Sequence, residues 1–199
     1  MMQNKKGADL MAKKLMKQMI ILIILLAVIL VLFKIVRVQD IVLKKIYPIT
    51  YQEYVEKYST QNDVDKYMIY AIIKAESNFK PEVKSQSKAI GLMQLLEETA
   101  VEMSNSIENQ TVTEEELYQP EINIKLGTSY YAYLLKHYKG NNILALTAYN
   151  AGMGNVDTWI KTGVIQSDGS DIENIPYKET NNYVRKILRD YQLYLKLYE

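Results

Sequence analysis

The amino-acid sequence predicts a mostly helical fold in which one apolar N-terminal helix precedes a single helical domain. Apolar side chains recur at three- and four-residue spacing in most segments after residue 50, and no run of residues alternates as a strand does. Residues 19–33 form an uninterrupted apolar run of fifteen residues. A helix that is apolar on every side is typical of a membrane span rather than of a protein surface.

The composition narrows the class of function. The chain has 24 basic and 23 acidic residues, of which seven basic residues and one acidic residue lie in residues 1–38. The remainder therefore has 17 basic and 22 acidic residues, a net charge of −5. An acidic domain argues against a nucleic-acid partner, because phosphate binding needs a basic face. The absence of cysteine excludes disulfides and a thiol nucleophile, and with His137 as the single histidine no metal site and no cofactor are expected.

The apolar run predicts a transmembrane signal-anchor helix over residues 19–38. Three further apolar residues after Phe33 bring it close to the roughly 20 residues that span a bilayer. Five lysines precede the run and favour a cytoplasmic location for the basic residues 1–18. The alternatives are a cleaved signal peptide and a buried core helix; against the first, the residues after Phe33 are bulky and charged and contain no small-residue cleavage site.

The remaining elements follow in order. Residues 39–50 are expected to form a juxtamembrane connector, and residues 51–199 the domain. A helix over 51–58 is followed by one that is capped by Asn62 or Asp63 and ends at Glu76. Polar loops are expected at 78–88 and 162–174, and the acidic run 114–116 is expected in the first turn of a helix. Further helices are predicted over 92–103, 122–138, 143–149, 156–160 and 179–198.

Glu76 is the candidate catalytic residue. It follows the apolar residues 68–75 and lies three and four positions after Ile73 and Ile72, on the side that they bury. A carboxyl group on an apolar face holds its proton more tightly than it does in water. This is the property that a general acid needs near neutral pH. A glutamate at a helix end is more often solvated or a cap, so the motifs around it decide the interpretation.

Four short motifs follow one another along the chain. They are Glu-Ser-Asn-Phe at 76–79, Gly-Leu-Met-Gln at 91–94, Ala-Tyr-Asn-Ala-Gly at 148–152, and Ile-Pro-Tyr-Lys-Glu-Thr at 175–180 with Tyr183 and Val184 after it. Together, over about residues 63–195, they resemble the catalytic domain of soluble-type lytic murein transglycosylases. Lys88 and Glu97 stand where that family usually has glycine and proline, and both flank the motif rather than form it.

The resemblance implies a lysozyme-like helical domain with a sugar-binding cleft, similar in fold to goose-type lysozyme. It implies cleavage of the β-1,4 bond between N-acetylmuramic acid and N-acetylglucosamine in peptidoglycan. In this family one carboxyl group serves as acid and then as base, and the C6 hydroxyl of the muramic residue closes a 1,6-anhydro ring. Glu76 occupies that position here, while Glu82, Glu97 and Glu98 lie in or beside polar stretches.

The same resemblance assigns the substrate-binding residues. Those expected to line the cleft are Ser77, Met93, Gln94, Tyr149, Asn150 and Tyr183, and Glu179 is expected to bind or position. For Met93 and Tyr183 simple packing is an alternative to substrate contact, and Trp159 is expected in the core rather than as a sugar platform.

Two other functions remain open at this point. One is a hydrolase of the muramidase type on the same fold, which would need a second carboxylate to activate water. The other is a wall-binding scaffold without activity. In each case the expected partners are peptidoglycan glycan strands and the membrane, and the expected location is the cell membrane with the domain outside. No protein partner is predicted.

Overall fold

The computed structural model describes the backbone of residues 2–199 and the side chains of residues 14–34 and 37–199. The chain divides into two compact units, residues up to Pro48 and residues Ile49–Glu199. Across residues 2–199 the backbone forms α-helices, two 3-10 turns and two isolated β-bridges, and it contains no extended strand. The mostly helical fold predicted from the sequence is therefore confirmed.

The first unit is one long helix, α1 (Met2–Ile46). Its part from Lys14 to Ile46 is long and apolar enough to cross a membrane, and the most apolar stretch of it is fully exposed. A core helix of a soluble protein would be buried, so that alternative does not fit. The helix continues through most of the expected connector 39–50. The predicted basic N-terminus covers residues 1–18, and the side chains of its residues 1–13 lie outside the described part of the structure.

The second unit contains seven α-helices within Ile49–Glu199. They are α2 (Gln52–Gln61), α3 (Lys66–Glu76), α4 (Glu97–Glu108), α5 (Pro120–His137), α6 (Asn142–Ala151), α7 (Met153–Lys161) and α8 (Lys178–Tyr198). Short 3-10 turns lie at Glu116–Tyr118 and Ile172–Asn174. The first of these begins at Glu116, the last residue of the acidic run 114–116, and the Glu116 carboxylate accepts the Thr113 backbone N–H at 2.8 Å.

Helix α3 lies at the centre of this unit. Six consecutive residues, 68–73, are buried, so the helix is covered on all sides rather than along one stripe. Its principal neighbour is α8, and the ring of Tyr70 stacks on that of Tyr194 with centroids 5.6 Å apart. Burying aromatic rings of this size stabilises the pairing of the two helices. Glu76, the last residue of α3, is thereby held against α8.

Three predicted helix starts are wrong, one of them that of α7, which begins at Met153 and not at residue 156. Asp65, not Asn62 or Asp63, caps α3: its carboxylate accepts the backbone N–H of Tyr67 at 2.8 Å. Helix α4 begins at Glu97 and not at residue 92, and it continues to Glu108. Residues 91–94 instead form a tight turn between Ile90 and Leu95, whose backbones exchange hydrogen bonds of 2.9 and 3.0 Å.

Candidate active site

Glu76 is partly buried at the C-terminal end of α3. The phenolic O–H of Tyr183, on α8, donates a hydrogen bond of 2.6 Å to its Oε1. Burial raises the pKa of Glu76 to about 7, while the Tyr183 hydrogen bond and the positive charge of Lys186 act in the opposite direction. A carboxyl group with this pKa is populated in both protonation states near neutral pH, so it can give and take back a proton.

Ser77 attaches the 91–94 turn to the end of α3. Its hydroxyl is buried, donates to the carbonyl oxygen of Leu92 at 2.8 Å and lies 3.2 Å from the carbonyl oxygen of Ile73. A buried hydroxyl with a partner of this geometry holds two segments together. The motif that contains Glu76 is therefore bonded directly to the Gly-Leu-Met-Gln motif.

The turn itself requires glycine at position 91. Gly91 has a φ of +77°, and a Cβ atom there would lie 2.3 Å from Nδ2 of Asn123 and 2.5 Å from the carbonyl oxygen of Leu117. Neither contact is possible for a side chain, and the backbone conformation itself is strained for any residue with a Cβ atom. The close approach brings the turn onto α5.

Met93 is fully buried. Its side chain packs on Gly127 of α5, where a Cβ atom would lie 2.5 Å from Sδ. The structure thus favours the packing role that the sequence left open beside substrate contact. Met93 acts through its backbone instead, since its carbonyl oxygen accepts a hydrogen bond of 2.8 Å from the hydroxyl of Tyr149.

Gln94 is partly exposed and has a φ of +49°. Its amide nitrogen donates to the carbonyl oxygens of Val83 at 3.1 Å and of Gly91 at 2.8 Å. Both donor protons are used within the protein, so the amide oxygen is the atom that Gln94 offers to a ligand.

A cavity of about 260 Å³ joins the second and third motifs. It is lined by Gln94, Leu95, Leu96, Thr99, Tyr130, Tyr149, Asn150, Ala151 and Gly152. The rings of Tyr130 and Tyr149 lie 5.2 Å apart along it. Apolar and aromatic walls with a few amide groups are typical of small-molecule sites. Burial, reinforced by the charge of Glu76, raises the pKa of Tyr149 well above its usual value, so the Tyr149 hydroxyl keeps its proton.

The fourth motif reaches this cavity through Thr180. Its hydroxyl donates to Oδ1 of Asn150 at 2.7 Å. Glu179, by contrast, is exposed in the first turn of α8, and Trp159 is only partly buried, with its ring edge-on to Tyr177 at 5.0 Å. Among the residues whose side chains are described, no group of three or more histidine, cysteine, aspartate or glutamate residues could hold a metal ion.

Two residues of this region, Asn123 and Lys186, were not identified from the sequence, and Thr180 was named only as a member of the fourth motif. Asn123 carried the clearest signal, because it lies three positions before Leu126 and four before Gly127, on the stripe that α5 buries. A polar residue on a buried stripe indicates a specific hydrogen-bond partner. Lys186 carried no such signal, since its proximity to Glu76 depends on how α8 packs on α3.

The chain was compared with protein families and curated proteins. The family described as Transglycosylase SLT domain matches residues 53–170. The soluble lytic murein transglycosylase of Salmonella typhimurium is 34% identical over 151 residues, which is 73% of this chain and 23% of that protein. The membrane-bound lytic murein transglycosylase C of Edwardsiella ictaluri is 36% identical over 115 residues, 53% of this chain and 32% of that protein.

Solved structures resemble it as well. The 70 kDa soluble lytic transglycosylase of Escherichia coli has a TM-score of 0.70 and 31% identity, over 77% of this chain and 25% of that one. An inactive glutamate-to-glutamine mutant of the lytic transglycosylase Slt of Pseudomonas aeruginosa has a TM-score of 0.69 and 32% identity, over 76% and 25%. These likenesses confirm the predicted lysozyme-like fold class. The chain spans about a quarter of the length of the soluble relatives.

Proposed function

Because this chain belongs to the transglycosylase SLT domain family, we propose that it is a membrane-anchored lytic transglycosylase of peptidoglycan. Its substrate is the glycan strand, and the bond cleaved is the β-1,4 bond between N-acetylmuramic acid and N-acetylglucosamine. The observation that carries the proposal is Glu76, a partly buried carboxyl group with a pKa of about 7, whose neighbour Ser77 bonds to the 91–94 turn.

The proposed mechanism uses Glu76 twice. The protonated carboxyl group donates its proton to the glycosidic oxygen, and the bond from that oxygen to C1 of the muramic residue breaks. The resulting carboxylate, stabilised by the Tyr183 hydroxyl at 2.6 Å, then accepts the proton of the C6 hydroxyl. The C6 oxygen attacks C1 of the same ring, which gives a 1,6-anhydro end without consuming water. Glu76 is protonated again at the end of the cycle.

The surroundings of Glu76 favour one carboxyl group over two. Among the described side chains, the groups that shift its pKa are Tyr183 and Lys186, and neither is an acid. Glu82, Glu97 and Glu98 are all exposed. A hydrolase with two carboxyl groups would need the second one facing the bond at a defined separation.

Substrate binding is assigned to the cavity beside the turn. Gln94, Tyr149 and Asn150 line it and supply amide and aromatic groups suited to acetamido sugars. Ser77 and Met93 shape this wall by their hydrogen bonds, and Tyr183 orients Glu76 directly. Glu179, exposed on α8, is proposed to bind farther along the strand.

The membrane part of the proposal rests on α1. Its exposed apolar stretch and the membrane-bound relatives support an anchor with a cytoplasmic N-terminus and an extracytoplasmic domain. The full-length protein should then be found in the membrane fraction. Protease added to intact spheroplasts should degrade its Ile49–Glu199 unit. Release of a shortened chain into the medium would instead indicate a cleaved signal peptide.

Product analysis tests the reaction. Purified protein incubated with peptidoglycan should release fragments with 1,6-anhydromuramic ends, detected by mass spectrometry, and Glu76→Gln should abolish them. Hydrated reducing ends would show a muramidase-type hydrolase. Absence of any cleavage, with retained binding to the wall polymer, would favour the scaffold.

A further inference from the structure

Asn123 is a fully buried amide at the start of α5. All of its hydrogen-bonding groups are directed at the backbone around the Gly-Leu-Met-Gln turn. Its Oδ1 accepts the N–H of Met93 at 2.7 Å, and its Nδ2 donates to the carbonyl oxygens of Ile90 at 2.9 Å and Leu117 at 2.8 Å. An amide is the one uncharged side-chain group that offers two donors and an acceptor in this fixed arrangement.

The Met93 N–H belongs to a peptide unit that is held from both sides. The carbonyl of that unit, from Leu92, accepts the hydroxyl of Ser77 at 2.8 Å. Ser77 directly follows Glu76 in the chain. The peptide therefore joins the end of α3 to α5, with Asn123 as the partner on the α5 side.

The next peptide unit extends this connection to the cavity. The carbonyl oxygen of Met93 accepts the hydroxyl of Tyr149 at 2.8 Å, and Tyr149 lines the cavity beside Gln94. Moving the backbone at Met93 would displace the hydrogen-bond acceptor of Tyr149. It would also displace the carbonyl that Ser77 holds next to Glu76.

We propose that Asn123 is a positioning residue, which fixes the Leu92–Met93 peptide and thereby holds the two hydrogen bonds that this backbone makes, one with Tyr149 and one with Ser77 beside Glu76. It contacts no substrate. This role rests on the proposed function for its catalytic consequence, but the hydrogen-bond arrangement that it requires can be tested separately. The amide fits at this position because residue 91 is glycine, where a Cβ atom would lie 2.3 Å from Nδ2 of Asn123.

A mutant cycle tests the proposal on the full chain in detergent. Asn123→Ala should lower kcat for release of 1,6-anhydro ends by roughly 10²-fold with little change in KM, since small displacements of reacting groups have effects of this order. Tyr149→Phe should also lower kcat. The double variant should be no slower than the slower single variant, because both changes act on the same backbone position. Multiplicative effects would overturn the proposal.

Hydrogen exchange supplies a readout that does not need activity. The Met93 amide should exchange faster in Asn123→Ala, while amides in the middle of α5 stay protected. Val112→Ala is the matched control: it removes apolar packing from the cluster that contains Leu117 and Leu126 and should change neither the Met93 amide nor kcat. Unchanged exchange at Met93 in Asn123→Ala would overturn the positioning role. If the wild-type protein released no anhydro products, the proposed function would be overturned. The exchange measurement would still test whether Asn123 positions the Met93 backbone.

Discussion

The hydroxyl of Tyr183 lies 2.6 Å from Oε1 of Glu76 and donates to it. The two residues are 107 positions apart in the chain, on α8 and α3. This hydrogen bond favours the charged form of the carboxyl group, whereas burial favours the neutral form. The balance leaves Glu76 with a pKa of about 7, and a substitution can remove one contribution at a time.

Removing the hydroxyl should move the pH dependence of activity. In Tyr183→Phe the charged form of Glu76 loses its donor, so the pKa of Glu76 rises above about 7. Because the first step of the proposed mechanism needs the protonated acid, the alkaline limb of kcat/KM should shift to higher pH. Rates of anhydro-product release across the pH range measure this. Tyr138→Phe, which loses a bond to Asp157 instead, is the control, and a shift to lower pH in Tyr183→Phe would contradict the assignment.

Removing the nearby positive charge should act in the same direction. The charge of Lys186 lowers the pKa of Glu76, and its Nζ lies 3.4 Å from the carbonyl oxygen of Ala75. Lys186→Met should therefore shift the alkaline limb of kcat/KM upward, and Lys186→Arg should not. Added salt screens an exposed charge, so the difference between Lys186→Met and wild type should shrink at high ionic strength. A difference that is independent of salt would exclude the charge as its cause.

Glu76, the proposed acid, should lower the free energy of unfolding above neutral pH. The pKa of Glu76 is raised from 4.5 unfolded to about 7 folded, so folding favours its protonated form. That contribution is fully present below pH 4.5 and is lost as pH rises through about 7, a difference of about 3 kcal/mol. In Glu76→Gln the side chain at position 76 has no carboxyl group and does not titrate. Relative to wild type, the variant should gain unfolding free energy between pH 4.5 and 7 and keep it above.

Urea unfolding of both proteins at several pH values measures this difference, because the other carboxyl groups contribute equally to each. A constant difference between the two proteins across pH would mean that Glu76 does not have a raised pKa in the folded state.

Glycine at position 91 should be required for packing as well as for conformation. Gly91→Ala should lose more stability than Gly140→Ala, which has a similar φ of +84° but open space around it. The left-handed conformation costs a non-glycine residue roughly 1–2 kcal/mol at either position. The excess at position 91 reports the contacts of the added methyl group with Asn123 and with the carbonyl oxygen of Leu117. Equal losses in urea unfolding would mean that the turn moves away from α5 without cost.

Most helices were predictable because their apolar periodicity is local. Helices α5, α6 and α8 begin and end within two residues of their predicted bounds, and Glu76 ends α3 as expected. The start of α4 was not predictable in this way. Leucine, methionine and glutamine are good helix formers, yet here they form a turn, because Asn123 and Ser77 bind its peptide groups. Tertiary hydrogen bonds override the local preference.

In the candidate site, too, local sequence patterns were predictable and tertiary contacts were not. Motif residues such as Glu76, Tyr149 and Asn150 were recognisable along the chain, but their bonding partners were not. Met93 looked equally suited to the cleft and to the core until its contact with Gly127 was known. The partner of Glu76 and the anchor of the turn both depend on which helices pack together, and a periodic pattern does not specify this.

The pairing of α3 with α8 has a consequence for biosynthesis. Tyr183 lies beyond residues 53–170, the part that matches the family, and α8 is synthesised after α3 because it follows α3 in the chain. A nascent chain that has not yet reached residue 178 has α3 and its glutamate but not the helix that packs on them. Without α8 the carboxyl group would be more solvated, and its pKa would fall toward the ordinary value. The raised pKa of Glu76 is therefore a property that the chain acquires only once α8 has docked on α3.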